Sequence, residues 1–460
     1  MLFNSSDFLI FFIFVFAFYF GLPSRFQWVV LLLASCVFYA NFVPKYLLIL
    51  FAIILIDYYA GIGLDKYKGG LRKAVLWVSI ISNLSILVYF KYFNFIIGNL
   101  ALFYKDLDGF FLHAILPIGL SFHVFQSLSY TIEVYRGRQT AERNLGIYAI
   151  YVLYFPQLVA GPIERPQNLL HQFHNKHEFS EDRWLSALGL ILSGFFKKVV
   201  VADSLSLVVN PIFTTPKEYG SISFAIAVGA FGFQIYCDFS GYSDIARGVS
   251  RILGIELMLN FDRPYWSKSV SEFWRRWHIS LSTWFRDYVY IPLGGRGASH
   301  FLSSRNILIV FILSGLWHGA QWSFMIWGFV HGIALSIENF FLKELLKRHS
   351  FIARLWTLFI VFYSWIFFRA NSLSDAIYIC AHFFTDATKG LENIKVYQFT
   401  EAYLFLLALL ILEYLQEKFD LWSRIVQWPI FLRSSFLALC TILFLLLGQF
   451  GRNTFIYFQF

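Results

Sequence analysis

Apolar runs long enough to cross a bilayer recur from one end of this chain to the other, and they limit the fold more than any other feature. A helix rises about 1.5 Å per residue, so roughly 20 apolar residues cover the ~30 Å of bilayer hydrocarbon. Candidate spans fall at 8–21, 27–43, 46–63, 74–92, 114–132, 145–160, 185–209, 222–238, 306–334, 355–370, 401–416 and 433–450. Composition agrees: 58% of the 460 residues are hydrophobic and only 14% are charged, against about 25% charged in average proteins. The expectation is an all-α, polytopic membrane protein of about 11–13 transmembrane helices, with additional short interfacial or re-entrant helices.

The run from Phe8 to Phe20 follows MLFNSSD, which holds no Lys or Arg, and no small-residue cleavage site follows it. It is expected to be a retained first span and not a signal peptide. Cys36, Cys237, Cys380 and Cys440 lie in mostly apolar segments without CxxC spacing, so neither a zinc site nor a disulfide framework is indicated. The net charge of +9 does not point to nucleic acid. Lys and Arg cluster in short loops between apolar runs, as the positive-inside rule and attraction to anionic lipid require. Arg25, the group Lys66, Lys68, Arg72 and Lys73, and the group Arg136, Arg138 and Arg143 follow the first, third and fifth spans, whereas Lys45 alone follows the second. This alternation puts the N-terminus outside.

Residues 1–238 read as N-terminal spans, 239–305 as an interfacial or re-entrant segment, and 306–460 as further spans, all in one membrane domain without repeats. The middle segment is too polar to span and too aromatic for a free loop. Half of the 14 tryptophans lie between Trp266 and Trp327, and Trp favours levels where an apolar body meets a wet edge. Irregular backbone at membrane depth must be buried in protein or line a cavity, so a cavity is sought here.

Among eleven histidines, those at 171, 174, 177, 300 and 349 lie in polar loops. His318 instead stands in ILIVFILSGLWHGAQWSFMIWGFVHGIAL, where an ionisable side chain is costly and marks a functional site by default. Gly315 and Gly319 flank it one turn apart, allowing close approach, and Trp317 and Trp322 are candidate walls. His278 is the second candidate: FWRRWHISLSTWF reads as a helix with Trp274, His278 and Leu281 on one face. His331, in the same apparent span as His318 and about three and a half turns on, reads as structural. A histidine titrating near neutrality can take the proton of a hydroxyl that attacks an acyl carbon. No GxSxG elbow or HExxH spacing accompanies it, so direct transfer without a metal is expected.

NFDRPYWSKSVSEFWRRWHISLSTWFRDYVYIPLGG, followed by SGLWHGAQWSFMIWGFVHG, resembles the signature of the membrane-bound O-acyltransferases, in particular their bacterial alginate O-acetylation branch. The likeness extends through LPIGLSFHVFQSLSYTIEVYRG, FPQLVAGPIERP, FQIYCDFSGYSDIARG, WIFFRA and the terminal FIYFQF. His123 stands in SFHVFQ where relatives are expected to carry Tyr, which bears on the substrate and not on the class. The resemblance implies helices around a central funnel or tunnel and an inner-membrane location. It implies His318 as the catalytic histidine, His278 as the upstream polar partner, and acetyl-CoA as a cytoplasmic donor. The acceptor it implies is an extracytoplasmic polysaccharide or a partner acyltransferase.

The reading is therefore an O-acyltransferase with His318 as general base and His278 orienting or polarising a reacting group. Arg275, Arg276 and Arg286 are placed on the donor side, where cations can steer an anionic thioester, although positive-inside anchoring explains them equally well. The competing readings are a transporter of activated acyl groups, against which the lack of internal repeats counts, and a docking platform for a separate extracytoplasmic acyltransferase.

Overall fold

The computed structural model describes residues 1–158, 161–296, 299–450 and 455–456. Val159 and Ala160 of FPQLVAGPIERP and the last four residues of FIYFQF lie outside the described residues. The secondary structure is helical among the described residues. Among the described residues, nine helices are long and apolar enough to cross a membrane, and Ser6–Gly21 and Ser24–Ala40 are shorter apolar helices. The chain is an all-helical, multi-pass membrane protein.

Two compact units are present: 1–191 with 245–258, and 192–244 with 259–460. The first contains α1 (Ser6–Gly21), α2 (Gln27–Ala40), α3 (Leu47–Lys66), α4 (Gly69–Leu87), α5 (Leu120–Tyr135) and α6 (Leu145–Leu153). Cap residues set where these helices begin: the Ser5 hydroxyl accepts from Phe8 N, and Asn144 accepts from Gly146 and Ile147 N. Leu9, Ile10, Ile13 and Phe14 on α1 are exposed, as suits a helix whose solvent is lipid. Inside the unit, Asp57 of α3 accepts from Ser79 (2.6 Å), from Asn83 (2.9 and 3.0 Å) and from Ser127, so α3, α4 and α5 meet on one satisfied carboxylate.

The sequence expectation needs correction at two spans of this unit. Residues 114–132 were expected to be helical throughout, but α5 starts only at Leu120, after Gly119 at φ 73°. A Cβ on Gly119 would lie 2.6 Å from Leu158 O, so the chain turns here where only glycine fits. For 145–160, α6 ends at Leu153 after nine residues, about 14 Å of rise and too short to cross.

The further helices that bear on the site are α7 (Glu181–Phe195), α8 (Asp203–Thr214), α9 (Ser221–Ile252), α10 (Val270–Arg276), α11 (Ile279–Phe285), α12 (His300–His318), α13 (Trp322–Ile337), α14 (Ser350–Arg369), α15 (Val396–Phe419) and α16 (Ile430–Leu447). The unit boundaries at 191/192 and 244/245 fall within α7 and α9. In the second unit, a π-helical stretch over Phe196–Ala202 joins α7 to α8 and carries Lys198, which bonds Asp203 at 2.8 Å and Asp238 of α9 at 2.6 Å. Asp238 also accepts from Ile456 N at 2.8 Å, which ties the C-terminal segment to α9.

The apparent span 306–334 is two helices, not one. α12 stops at His318, α13 starts at Trp322, and the two return antiparallel. A Cβ on Gly315 would lie 2.1 Å from Phe324 O, and one on Gly328 would lie 2.1 Å from Phe311 O. The hairpin closes because glycines let the two backbones touch. An apolar average cannot reveal such a break, since both arms are apolar.

One end of this unit gathers the end of α8, the start of α9, the end of α14 and the loop before α15. Gly220 N donates to Lys389 O (3.0 Å), Ser221 N to Thr385 O (3.2 Å) and Arg369 Nη2 to Asn210 Oδ1 (2.9 Å). His318 lies toward that end, because it closes α12 and packs against Phe368 in the last turn of α14.

Candidate active site

His318 is 5% exposed. Its ring is boxed by Trp317 (5.0 Å between centroids), Trp327 (5.3 Å) and Phe368 (5.2 Å), all edge-on or steeply inclined. Gly315 and Gly319 do flank it, but on two sides of a helix end: Gly319 is the C-cap, in extended conformation, and a Cβ there would strike the Phe324 ring at 2.2 Å. Of the two tryptophans expected as walls, Trp317 serves, whereas Trp322 is 51% exposed. Trp327 and Phe368 supply the other sides. Trp327 closes the tryptophan-rich stretch, but nine residues from His318 in an apolar run it gives no sign of contact, and Phe368 is fifty residues away in sequence, so neither was legible as a neighbour.

His278 does not lie within a helix as expected. α10 ends at Arg276, α11 begins at Ile279, and His278 caps α11 in the left-handed region, φ 43° and ψ 54°. Such backbone costs a non-glycine residue about 1–2 kcal/mol, and a residue held there against that cost points to a site. α10 is started by the Ser269 hydroxyl accepting from Glu272 N at 2.9 Å, while Glu272 reaches back to Lys268 N, also at 2.9 Å. The His278 ring is 1% exposed and packs against Phe239 (4.6 Å), Phe261 (6.2 Å) and Trp317 (6.2 Å). Burial pushes its pKa down to about 3. Its Nδ1 lies 3.2 Å from Asn260 Oδ1.

His331 has a defined structural job. Trp274 Nε1, which can only donate, lies 3.3 Å from His331 Nδ1, so Nε2 carries the proton and donates to Ser364 Oγ at 2.9 Å. The Ser364 hydroxyl in turn donates to Val361 O at 2.8 Å. Both ring nitrogens are engaged, and the node joins α10, α13 and α14. His331 shares no helix with His318, but Trp327 touches both imidazoles, at 5.0 and 5.3 Å.

A cavity of about 480 Å³ opens between α10–α11 and the α12–α13 hairpin. Arg275, Arg286, Tyr290 and Asn339 line it, as do the apolar Phe311 and, one turn before His318, Ser314. Arg275 bonds Ser271 Oγ at 3.3 Å, and Arg286 pairs with Asp287 at 2.7 Å. Arg276 is not among the lining residues. It pairs with Glu272 at 3.0 Å and lies 4.0 Å from Asp262. A second cavity, about 470 Å³ between α8 and the start of α15, holds none of the sequence-predicted site residues.

The sequence model of the membrane-bound O-acyltransferase family matches residues 72–379. The chain is 38% identical to a probable alginate O-acetylase AlgI of Azotobacter vinelandii, over 87% of this chain and 81% of that protein. It is 35% identical to a peptidoglycan O-acetyltransferase of Helicobacter pylori, over 75% of this chain and 72% of the relative. It is 29% identical to a teichoic acid D-alanyltransferase of Bacillus subtilis, over 52% and 63%. With a family match across most of the chain and relatives of 35–38% identity covering most of both sequences, the chain belongs to the membrane-bound O-acyltransferases and is an O-acyltransferase.

Proposed function

We propose that the protein transfers an acetyl group from cytoplasmic acetyl-CoA to a hydroxyl of an extracytoplasmic polysaccharide, with His318 as general base. The observation that carries this reading is the cavity that has Arg275 and Arg286 on its wall and Ser314, one turn from His318, among its lining. The guanidinium groups suit the anionic donor, and the apolar wall suits its acyl arm. In the transfer, the His318 imidazole takes the proton of the acceptor hydroxyl as its oxygen bonds to the carbonyl carbon. The carbon–sulfur bond then breaks, and the thiolate leaves with that proton. The acceptor is oriented by His278, which shares the Trp317 wall.

Charge supports the orientation. Arg286, Arg305, Lys343, Lys347, Arg348, Lys418 and Arg424 lie at or beyond the helix ends remote from His318, which suits a cytoplasmic face of the inner membrane. The same rule puts the N-terminus outside. Relatives named for alginate and peptidoglycan favour a glycan acceptor.

Bilayer-embedded protein given radiolabelled acetyl-CoA and unacetylated alginate oligosaccharide is expected to label the glycan, and His318→Ala to abolish labelling while assembly stays normal. Equal turnover by His318→Ala removes that residue from the mechanism. Label found on a copurifying protein instead of the glycan would make this chain the first carrier in a relay.

A further inference from the structure

Asn260 lies eighteen residues before His278 in a segment with no regular secondary structure, is fully buried, and holds the turn that carries the histidine. Its backbone carbonyl accepts from Ile279 N at 2.9 Å. Its side-chain Oδ1 accepts from Ser280 N at 3.2 Å and from Ser280 Oγ at 2.9 Å. A backbone N–H can only donate, so the amide atom facing it is the oxygen, and Nδ2 is left to donate to Ser243 Oγ at 3.4 Å. That same oxygen lies 3.2 Å from His278 Nδ1. An amide oxygen can only accept, so Nδ1 carries the hydrogen. The Ser280 hydroxyl, 3.4 Å from Nδ1, has its proton on Asn260 and presents a lone pair, which agrees.

We infer that Asn260 is a positioning residue that holds His278 as the Nδ1–H tautomer, so that Nε2 offers a lone pair to an acceptor hydroxyl beside the nucleophile, whose own proton goes to His318, and no proton to the developing oxyanion. The inference rests on the proposed acyl transfer at His278 and His318, and it narrows the part of His278 to gripping the acceptor. The left-handed backbone at His278 belongs to the same device: Asn260 binds the two residues that follow the histidine, through main chain and side chain, and keeps the ring turned onto its amide.

Wild-type protein labelled with ¹⁵N-histidine in nanodiscs tests the tautomer without disturbing the fold. The signal that disappears in His278→Gln is expected to report Nδ1 protonated and Nε2 bare, and the reverse pattern overturns the inference. Kinetics with acetyl-CoA and unacetylated alginate oligosaccharide test the consequence. Per folded, monodisperse protein, Asn260→Ala is expected to raise the KM for the acceptor by about 10- to 100-fold and leave the KM for acetyl-CoA unchanged. Asn260→Asp, which keeps an accepting oxygen against Nδ1, is expected to restore the acceptor KM to within about threefold of wild type. A merely structural Asn260 would lower the yield of folded protein and shift neither constant, and that result sinks the inference. If His278→Ala itself behaves as wild type, the proposed site fails at His278; if His278→Ala is impaired and Asn260→Ala is not, only the positioning role fails.

Discussion

His278 and His318 pack against the same indole: Trp317 meets the first ring at 6.2 Å and 68°, and the second at 5.0 Å and 81°. His278 caps α11 and His318 ends α12, forty residues apart in sequence, and this one side chain packs against both rings.

Removing that shared side chain should therefore damage catalysis more than its burial alone suggests. Trp317→Ala is expected to lower acetyl transfer about 100-fold, because reacting groups displaced by about 1 Å lose that much. Trp322→Ala, at a position 51% exposed, should change stability by no more than about 0.5 kcal/mol and leave turnover near wild type. Initial rates of the two variants at equal amounts of folded protein check the contrast.

The α12–α13 hairpin makes a sharper prediction about assembly. A methyl group at Gly315 would lie 2.1 Å from a backbone oxygen, which cannot rotate away. Gly315→Ala should separate the two arms, lower stability by about 1–3 kcal/mol and move His318 off its wall. At Gly229 in α9 a Cβ would meet nothing within 4 Å, so Gly229→Ala should be neutral or add up to about 1 kcal/mol through helix propensity. Thermal midpoints of the purified variants in detergent would separate them.

The buried His278 gives a signed dependence on pH. Its pKa is held down at about 3 by desolvation, below the ordinary value of about 6.5. The unfolded chain thus binds a proton that the folded protein refuses. Stability from this group is fully present above about pH 6.5 and is lost as pH falls toward 3, at up to about 1.4 kcal/mol per pH unit. The wild-type thermal midpoint should accordingly fall more steeply than that of His278→Gln between pH 7 and 4.5. Any limb of the rate profile between roughly pH 5 and 8 comes from another group, so it should keep its position in His278→Gln.

What lay open in the sequence was whatever depends on local averages. Hydropathy summed over a span decides whether a segment prefers lipid, and Asn144 or Ser269 starts its helix through bonds to residues two or three positions on. The all-helical membrane fold and the family resemblance were readable for that reason, as was the candidacy of His318 and His278. Tertiary structure alone decided how the apolar run around His318 divides, because a break at Gly319 between two apolar arms leaves the average unchanged. It alone brought Phe368 to His318, Ser364 to His331 and Asn260 to His278. These partners are chosen by the need of each buried polar or aromatic group for a neighbour in three dimensions, and a one-dimensional pattern carries no record of who that neighbour is.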